Sequence, residues 1–396
     1  MTERLYYTDA YLREFEASIV RVDVRNGRTF VVLDRTAFYP TSGGQPFDLG
    51  VLDTVRILDV LDDDKGDVVH VVDCQPDALT AGQAVRGTID WTRRFDHMQQ
   101  HTGQHVLSAA IDRLFGVRTV SFHLGADSST IDLSRELTRD ELVSAEVEAN
   151  GIVWEDRPVA VRFVSAEEAA GLPLRKEPVR EGTLRLIDVE HFDLSACGGT
   201  HVARTGGIGV IGIGSTERFK GGQRVEFFCG GRALAKFRSM RDALAGAVRA
   251  LSVLPDAVPA AVEKLQADLR ERQRLLGSLQ NELVRYRADE LAASIRPTAV
   301  GDIVAAVVDA GANELKFLAS AIVSRPGRIA LLVSATTPAL VVVARSEGVR
   351  LDANAVVAAL TAKFGGRGGG KPALAQAGGL DAAPSTILST GLPSLE

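Results

Sequence analysis

Two short segments of this sequence carry residue types that bind metal ions. The first, DHMQQHTGQH at residues 96–105, contains His101 and His105, and the second, CGGTH, begins with Cys197 and ends with His201. Side chains four residues apart lie on the same face of a helix, so the two imidazoles of the first segment can reach one ion. Together with the second segment they would supply nitrogen and sulfur donors, which suit zinc better than magnesium or calcium.

Each pair by itself has an ordinary explanation. A His-x3-His spacing is common on helices, and His97, one turn earlier on the same face, could be a ligand instead. A lone cysteine such as Cys197 is more often a small buried hydrophobic residue. Two such pairs in a chain with only 3 cysteines nevertheless favour one shared metal site.

An apolar stripe at helical spacing predicts that the first pair lies on a helix. The stripe consists of Leu107, Ala110, Ile111, Leu114 and Phe115. Asp96 is a possible N-cap and Gly116 a C-terminal stop. Because His101 and His105 directly precede the stripe, they are preferred over His97 as ligands.

The composition is that of an ordinary soluble protein, with 45% hydrophobic and 24% charged residues in 396 positions. This length predicts about two to four domains. The 3 scattered cysteines are too few for a disulfide framework. The net charge of -6 argues against a protein that coats nucleic acid indiscriminately, although a local basic groove is compatible with that net charge. Without an apolar leader or a run long enough to cross a bilayer, we expect a cytoplasmic enzyme with no membrane partner.

The order of elements predicts a multidomain α+β protein with four parts. Residues 1–90 contain short strands, including a hairpin with an Asn26-Gly27 turn, and predict a β-barrel-like domain. Residues 91–234 alternate helices and strands, with a capping box at Thr138 and Glu141, and predict an α+β domain that holds the metal. Residues 235–295 predict a helical hairpin or coiled coil, and residues 296–396 a C-terminal α/β domain.

The helical part has one apolar seam at heptad spacing. Broken only by Arg272, this seam contains Val262, Leu265, Leu269, Leu276, Leu279, Leu283 and Tyr286. Such a seam predicts packing against a second helix at residues 233–253, or against another subunit. A homodimer through the helical and C-terminal regions is therefore one of the expected arrangements.

Two glycine-rich segments could bind ligands. In residues 38–50, FYPTSGGQPFDLG, the hydroxyl of Thr41 and the amide of Gln45 can hydrogen-bond a small polar substrate, although a plain surface turn fits the same pattern. In residues 365–379, a glycine loop with Arg367 and Lys371 suits a phosphate or nucleic-acid backbone, although a flexible linker fits as well. The last residues, 382–396, are expected to be partly disordered.

These motifs together resemble a known family. The pairing of HTGQH at 101–105 with CGGTH at 197–201 is similar to the editing domain of alanyl-tRNA synthetase, and residues 38–50 resemble the glycine-rich motif of its free-standing relatives, the AlaX proteins. Residues 365–379 resemble the C-terminal domain of alanyl-tRNA synthetase, which some phosphoesterases also contain. The match covers nearly the whole chain in the same order. Because the β domain begins within the first twenty residues, with no aminoacylation domain before it, the resemblance is to long-form AlaX proteins.

The resemblance implies an enzyme that edits tRNA in trans. It would hydrolyse the ester bond of seryl- or glycyl-tRNA(Ala), with zinc held by the two pairs of ligands. Thr41 would contact the serine hydroxyl, Gln45 would help to position the substrate, and Arg367 and Lys371 would bind RNA. The zinc would either anchor the substrate or polarise water; since a site with four protein ligands is nominally closed, one ligand must leave or the coordination must expand.

Two other functions remain open on the sequence. Threonyl-tRNA synthetase carries a similar two-pair site, so the chain could edit threonine tRNA, and a tRNA-binding module with a purely structural zinc would show the same ligands. A phosphoesterase is disfavoured because Asp96-His97 is followed by Met98, which leaves no Asp-His-His triplet.

Overall fold

The computed structural model describes residues 1–63, 66–75, 78–175 and 182–395. The chain forms two compact units, Met1–Ala247 and Val248–Glu396. The finer boundaries at 90, 234 and 295 stay predictions. Within the described ranges, no single helix is long and apolar enough to cross a membrane, although the helices Gly230–Leu251 and Pro255–Ser294 taken together meet that criterion by length and composition.

The first unit begins with eight strands, β1 (Glu3–Arg4), β2 (Glu14–Arg25), β3 (Arg28–Leu33), β4 (Arg35–Thr36), β5 (Gly50–Leu52), β6 (Val55–Asp62), β7 (Val68–Asp73) and β8 (Ala84–Ile89). Six of them form a closed antiparallel barrel in the order β2-β3-β7-β6-β5-β8. Alternation along β2 buries Phe15, Ala17 and Ile19 in the barrel core. Asn26 and Gly27 both have positive φ, 51° and 73°, as a two-residue hairpin turn requires. The predicted barrel is confirmed.

An α+β region follows the barrel within the same unit. Its elements are α1 (Trp91–Phe115), β9 (Thr119–Leu124), β10 (Ser129–Leu133), α2 (Arg139–Trp154), β11 (Val159–Val164), α3 (Ala166–Ala170), β12 (Leu184–Val189), β13 (Asp193–Ala196), β14 (Ile211–Phe219) and β15 (Gly222–Cys229). One antiparallel sheet has the order β14-β15-β10-β9 and another the order β11-β12-β13. One buried core is shared by both long helices and the first of these sheets. It contains Leu107 and Ile111 of α1, Ala145 of α2, and Ile131 and Phe227 of the sheet.

Helix α1 begins earlier than the sequence pattern predicts. Asp90 is the N-cap, and its side chain accepts a hydrogen bond from the Arg93 N–H at 3.2 Å. The predicted N-cap Asp96 is wrong: it lies inside the helix, and its carboxylate pairs with Arg232. The apolar pattern does not predict the first turns of α1, because a buried arginine, Arg94, occupies the inward face of the helix there. The predicted stop at Gly116 is confirmed, with a left-handed φ of 62°.

The predicted helical region contains two helices, α4 (Gly230–Leu251) and α5 (Val258–Leu291). The seam of α5 is exposed, with Leu265 60%, Leu276 59% and Leu283 58% accessible. Its packing in a hairpin or against another subunit, and the homodimer that follows from the latter, stay predictions.

The second unit contains six strands and three helices after α5: β16 (Arg296–Pro297), β17 (Asp302–Val308), α6 (Ala312–Val323), β18 (Arg328–Ser334), β19 (Ala339–Arg345), α7 (Ala353–Phe364), β20 (Arg367–Lys371), β21 (Leu374–Leu380) and α8 (Pro384–Gly391). The strands form one sheet in the order β16-β17-β18-β19-β21-β20, in which only β17 and β18 are parallel neighbours. Helix α6 shares one buried cluster with the sheet, while α7 and α8 share another. The two clusters use alternate residues of the same strands, such as Leu331 and Leu332, so the predicted α/β sandwich is confirmed.

Two expectations for the C-terminal part are wrong. The glycine-rich segment is not a loop: Arg367–Lys371 forms the edge strand β20, which pairs along its whole length with β21. The pattern of residues 382–396 predicts partial disorder, but α8 and a 3-10 turn at Leu392–Leu395 occupy most of this segment.

A buried ion pair links the barrel to α1. The side chains of Arg94 and Asp48 are both fully buried, and the Arg94 Nε donates to both carboxylate oxygens at 3.1 and 3.0 Å. The same guanidinium donates to the carbonyl oxygen of Ala10 at 2.9 Å, and the Asp48 carboxylate accepts the Tyr39 N–H at 2.7 Å. The loop between β4 and β5 is thereby tied at its base to the helix that carries His101.

Replacing Arg94 with methionine should destabilise the first unit strongly. Removal of one partner leaves a buried carboxylate without its cation, which costs about 3–5 kcal/mol of unfolding free energy. Both tryptophans, Trp91 and Trp154, belong to this unit, so denaturant unfolding followed by tryptophan fluorescence measures it. The matched control is Arg218→Met, which breaks an exposed ion pair with Glu136 and should cost less than about 1 kcal/mol. Equal losses in the two variants would contradict the assignment.

Candidate metal centre

The structure brings the four predicted ligands together. His101 and His105 lie on α1, while Cys197 and His201 lie on the loop that follows β13. One donor atom from each residue can be chosen so that all four lie within 4.8 Å of one another. His101, His105 and His201 are buried, and Cys197 is half-buried.

His97 lies outside this cluster. Its side chain is buried, and its Nδ1 has no hydrogen-bond partner among the described residues. Burial, reinforced by the positive charge of Arg93, lowers the pKa of His97 to about 4. The alternative ligand considered on the sequence is therefore not part of the site.

The hydrogen bonds of Gln45 determine how His101 is oriented. The Gln45 Oε1 accepts the Thr200 N–H at 3.1 Å, and the Gln45 Nε2 donates to Thr200 Oγ1 at 2.8 Å, so the amide can face only one way. The same Oε1 lies 2.8 Å from His101 Nδ1, which must therefore be the donor. This leaves the His101 Nε2 lone pair directed at Cys197 Sγ, 3.3 Å away.

The hydrogen-bond partners of His201 likewise determine which of its ring nitrogens is protonated. Thr102 donates its hydroxyl hydrogen to the Met98 carbonyl oxygen at 2.8 Å, so its Oγ1 can only accept from other groups. That oxygen lies 3.2 Å from His201 Nδ1, which is consequently the protonated nitrogen. The His201 Nε2 then faces Cys197 Sγ at 3.4 Å.

His105 is held by a carboxylate. Asp193 Oδ2 accepts from His105 Nδ1 at 3.0 Å, and both side chains are buried. Although burial by itself lowers the pKa of His105, its contacts with Asp193 and Cys197 raise it to about 9. Burial likewise raises the pKa of the Asp193 carboxyl, but His105 and Arg175 bring it below its usual value.

The surroundings of Cys197 favour ionisation of its thiol. Burial alone raises its pKa, but the neighbouring His101 and His201 hold it well below the usual value. Burial lowers the pKa of His201 to about 3, and the proximity of His101 acts in the same direction. The lowered pKa values of Cys197 and His201 favour the deprotonated forms, which are the forms that bind metal ions.

Close backbone contacts fix the loop that carries Cys197. A Cβ on Gly199 would lie 2.1 Å from His101 Cε1, so only glycine fits at this position. The buried guanidinium of Arg185 donates to the carbonyl oxygens of Cys197 and Gly199 at 2.7 and 2.9 Å, and to that of Tyr7 at 3.0 Å.

The glycine pair in the loop between β4 and β5 forms a tight turn. Gly43 and Gly44 have φ values of 53° and 85°, and Ser42 and Gln45 exchange both backbone hydrogen bonds across the turn. This turn directs the Gln45 side chain inward, where it is fully buried, and leaves Thr41 exposed. The glycine pair therefore forms a turn, as one of the two interpretations of the sequence predicts. The turn also contacts the candidate site, through Gln45.

Sequence reasoning missed several residues that shape the site. Asp193, Thr102 and Arg185 form hydrogen bonds with His105, His201 and the Cys197 carbonyl oxygen, respectively. Thr200 holds Gln45, and the Phe122 ring lies 5.3 Å from the His101 ring, centroid to centroid. Asp193, an acidic residue four positions before Cys197, is the one that a search for histidine-orienting carboxylates would have found. The others depend on contacts between distant segments.

The donor set fits zinc. Three imidazole nitrogens and one thiolate are the ligands of a tetrahedral structural or catalytic zinc, and hard ions such as magnesium prefer oxygen. All three imidazoles give the hydrogen of Nδ1 to an acceptor outside the cluster. Histidine ligands of metals usually have such an acceptor on the far side of the ring.

The predicted RNA-binding residues Arg367 and Lys371 belong to the second unit. They stand at the two ends of the edge strand β20, and both are exposed.

Two family models match parts of the chain. The model described as tRNA synthetases class II (A) matches residues 7–93, which include the barrel. The model described as the threonyl and alanyl tRNA synthetase second additional domain matches residues 184–226, which include Cys197 and His201.

Curated relatives cover far more of the chain. The alanyl-tRNA editing protein AlaX-L of Pyrococcus horikoshii is 31% identical over 405 residues, which are 100% of this chain and 98% of that protein. The alanine–tRNA ligase of Pyrococcus abyssi is 35% identical, covering 95% of this chain and 42% of the ligase, and that of Halorubrum lacusprofundi is 37% identical, covering 98% and 44%. The chain thus spans less than half the length of these ligases.

Among solved structures, the C-Ala domain of Aquifex aeolicus alanyl-tRNA synthetase aligns with 26% of this chain and 97% of that domain, at 19% identity and a TM-score of 0.24. The AlaX-L relative aligns with this chain from end to end. The chain therefore belongs to the family of the alanyl-tRNA editing protein AlaX-L.

Proposed function

We propose that this protein hydrolyses the ester bond between serine or glycine and the terminal ribose of tRNA(Ala), with zinc as its cofactor. The observation that carries the proposal is the convergence of His101, His105, Cys197 and His201 within 4.8 Å, beside the turn from which Gln45 contacts His101. Membership of the AlaX-L family supports alanine tRNA as the substrate.

The need for such a reaction follows from binding energetics. A pocket built for alanine cannot strongly reject glycine, which is smaller, and an added hydroxyl, as in serine, is a weak ground for rejection. Discrimination between these amino acids therefore requires a second, hydrolytic site that acts on the charged tRNA.

The residues of the chain have distinct parts in this proposal. A zinc ion held by the four ligands would supply Lewis acidity, to polarise either water or the substrate. Gln45 acts as a positioning residue, because its amide oxygen and nitrogen already bond His101 and Thr200, so its effect on the substrate passes through His101. Thr41 is exposed, and its hydroxyl is available to bond the hydroxyl of a serine substrate.

The proposed function is tested by the release of labelled serine, glycine and alanine from tRNA(Ala), with bound zinc measured in the same sample. Hydrolysis of seryl- or glycyl-tRNA(Ala) but not of alanyl-tRNA(Ala) is expected. Faster hydrolysis of mischarged threonine tRNA would favour the threonyl-type editing activity instead. Binding of tRNA without turnover would favour a non-catalytic module with a structural zinc.

Substituting Cys197 with alanine should abolish hydrolysis of seryl-tRNA(Ala) and lower the bound zinc, because this change removes the only thiolate of the cluster. Metal content and single-turnover deacylation measure the two effects. Cys74→Ala, which changes a cysteine of the barrel region outside the cluster, should alter neither. Full activity in a metal-free preparation would refute the zinc dependence.

Thr41→Val should leave zinc binding intact and reduce mainly the preference for serine. The loss of one hydrogen bond should lower kcat/KM for seryl-tRNA(Ala) by up to about tenfold. Glycyl-tRNA(Ala), which lacks the hydroxyl, should be hydrolysed as by the wild type, and Thr41→Ser should keep the serine preference. Parallel loss on both substrates would show that Thr41 does not recognise the serine hydroxyl.

Arg367 and Lys371 would bind the phosphate backbone of the tRNA. We expect the double variant R367Q/K371Q to bind tRNA more weakly than the wild type. The slope of log affinity against log salt concentration should become shallower by about one unit for each phosphate that the two cations neutralise in the wild type. Zinc content should not change. Arg350→Gln, which removes another exposed cation of the second unit, is the control. An unchanged salt slope in the double variant would exclude these residues from the RNA-binding surface.

A further inference from the structure

We infer that Asp193 is a positioning residue of the metal centre: its carboxylate holds the ring of His105 so that Nε2 faces the other three donors. This inference rests on the proposed zinc site and deepens it, because it identifies a group outside the four ligands on which metal affinity depends.

The contact itself allows only one arrangement. An ionised carboxylate can only accept hydrogen bonds, so the 3.0 Å contact between Asp193 Oδ2 and His105 Nδ1 requires the hydrogen to be on Nδ1. With Nδ1 on the outside of the cluster, Nε2 is the nitrogen left to bind an ion. The side chains of His105 and Asp193 are 5% and 1% exposed, so water does not compete for this bond.

Asp193 is itself held in place. Arg175 Nε donates to Asp193 Oδ1 at 2.6 Å, and the hydroxyl of Ser195 lies 3.1 and 3.0 Å from the two carboxylate oxygens. Asp193 also starts β13, where it pairs with Val189 of the neighbouring strand. A backbone in a sheet and a carboxylate bonded on both oxygens leave the group little freedom to rotate, which is what a support for a metal ligand requires.

The three imidazoles are not supported equally. His101 bonds the amide of Gln45 and His201 the hydroxyl of Thr102, both neutral acceptors, whereas His105 bonds a carboxylate. Hydrogen bonds to a charged acceptor are roughly twice as strong as neutral ones, and they increase the basicity of the ring nitrogen that binds the metal. Of the three supports, Asp193 should therefore affect metal affinity most.

An alternative role for Asp193 is purely structural, as the partner of Arg175 in the first unit. The two roles differ in which variants lose metal. A structural ion pair fails equally when either partner is removed, whereas a positioning carboxylate keeps its bond to His105 when Arg175 is replaced.

The test compares zinc affinity, measured by competition with a chromophoric chelator, in D193A, D193N, R175Q and D188N. Asp188 is the matched control, because it lies in the same three-stranded sheet and its carboxylate pairs with Arg162. D193A should bind zinc about 10- to 100-fold more weakly than the wild type. D193N keeps an acceptor oxygen and should lose less, R175Q should lose less than D193A, and D188N should match the wild type.

Two further measurements separate positioning from loss of fold. Circular dichroism should show the secondary structure of D193A unchanged, while the visible absorption bands of the cobalt(II)-loaded protein, which report ligand geometry, should shift. Wild-type affinity in D193A, or an equal loss in R175Q or D188N, would overturn the inference. Failure of the wild type itself to bind zinc would instead overturn the proposed function, so the two failures can be told apart.

Discussion

A buried imidazole can present a lone pair toward the centre of a cluster only if the hydrogen on its other nitrogen has an acceptor. Without an acceptor, the buried N–H would be left unpaired and away from water, which costs free energy of folding. This requirement governs the arrangement of the candidate metal centre. Gln45, Asp193 and Thr102 each accept one Nδ1 hydrogen, and they come from the barrel loop, from β13 and from α1. The barrel, the small sheet and the helix must therefore pack together before the four donors can share one ion.

The face of α1 shows how that packing is arranged. Arg94, His101 and His105 follow one another at spacings of seven and four residues, so they lie on one face of the helix. The arginine fixes the loop between β4 and β5 through Asp48, and that loop delivers Gln45 to His101. A buried ion pair is expensive to form, and its use here is consistent with a demand for one register between the loop and the helix.

The second unit shows a contrasting use of polar residues. Its core is an ordinary apolar sandwich, and its glycine-rich strand β20 contributes almost no side chains to that core. The strand presents an exposed edge with a cation at each end. Sequence reasoning predicts a loop there because glycine disfavours strands, but pairing with β21 along five residues outweighs that local preference.

The sequence alone determined which residue types make up the candidate metal site and which helix carries two of them. It also determined the barrel with its Asn26-Gly27 hairpin and the buried strands of the second unit, because each of these depends on spacing or on local turn chemistry. It did not reveal the start of α1, since Arg94 occupies an inward position that an apolar pattern cannot show. Only the tertiary structure decided which nitrogen of each imidazole faces the cluster. That choice depends on acceptors such as Gln45 and Asp193, which are 56 and 88 residues away from the histidines they hold, and no local pattern encodes a hydrogen bond across such distances.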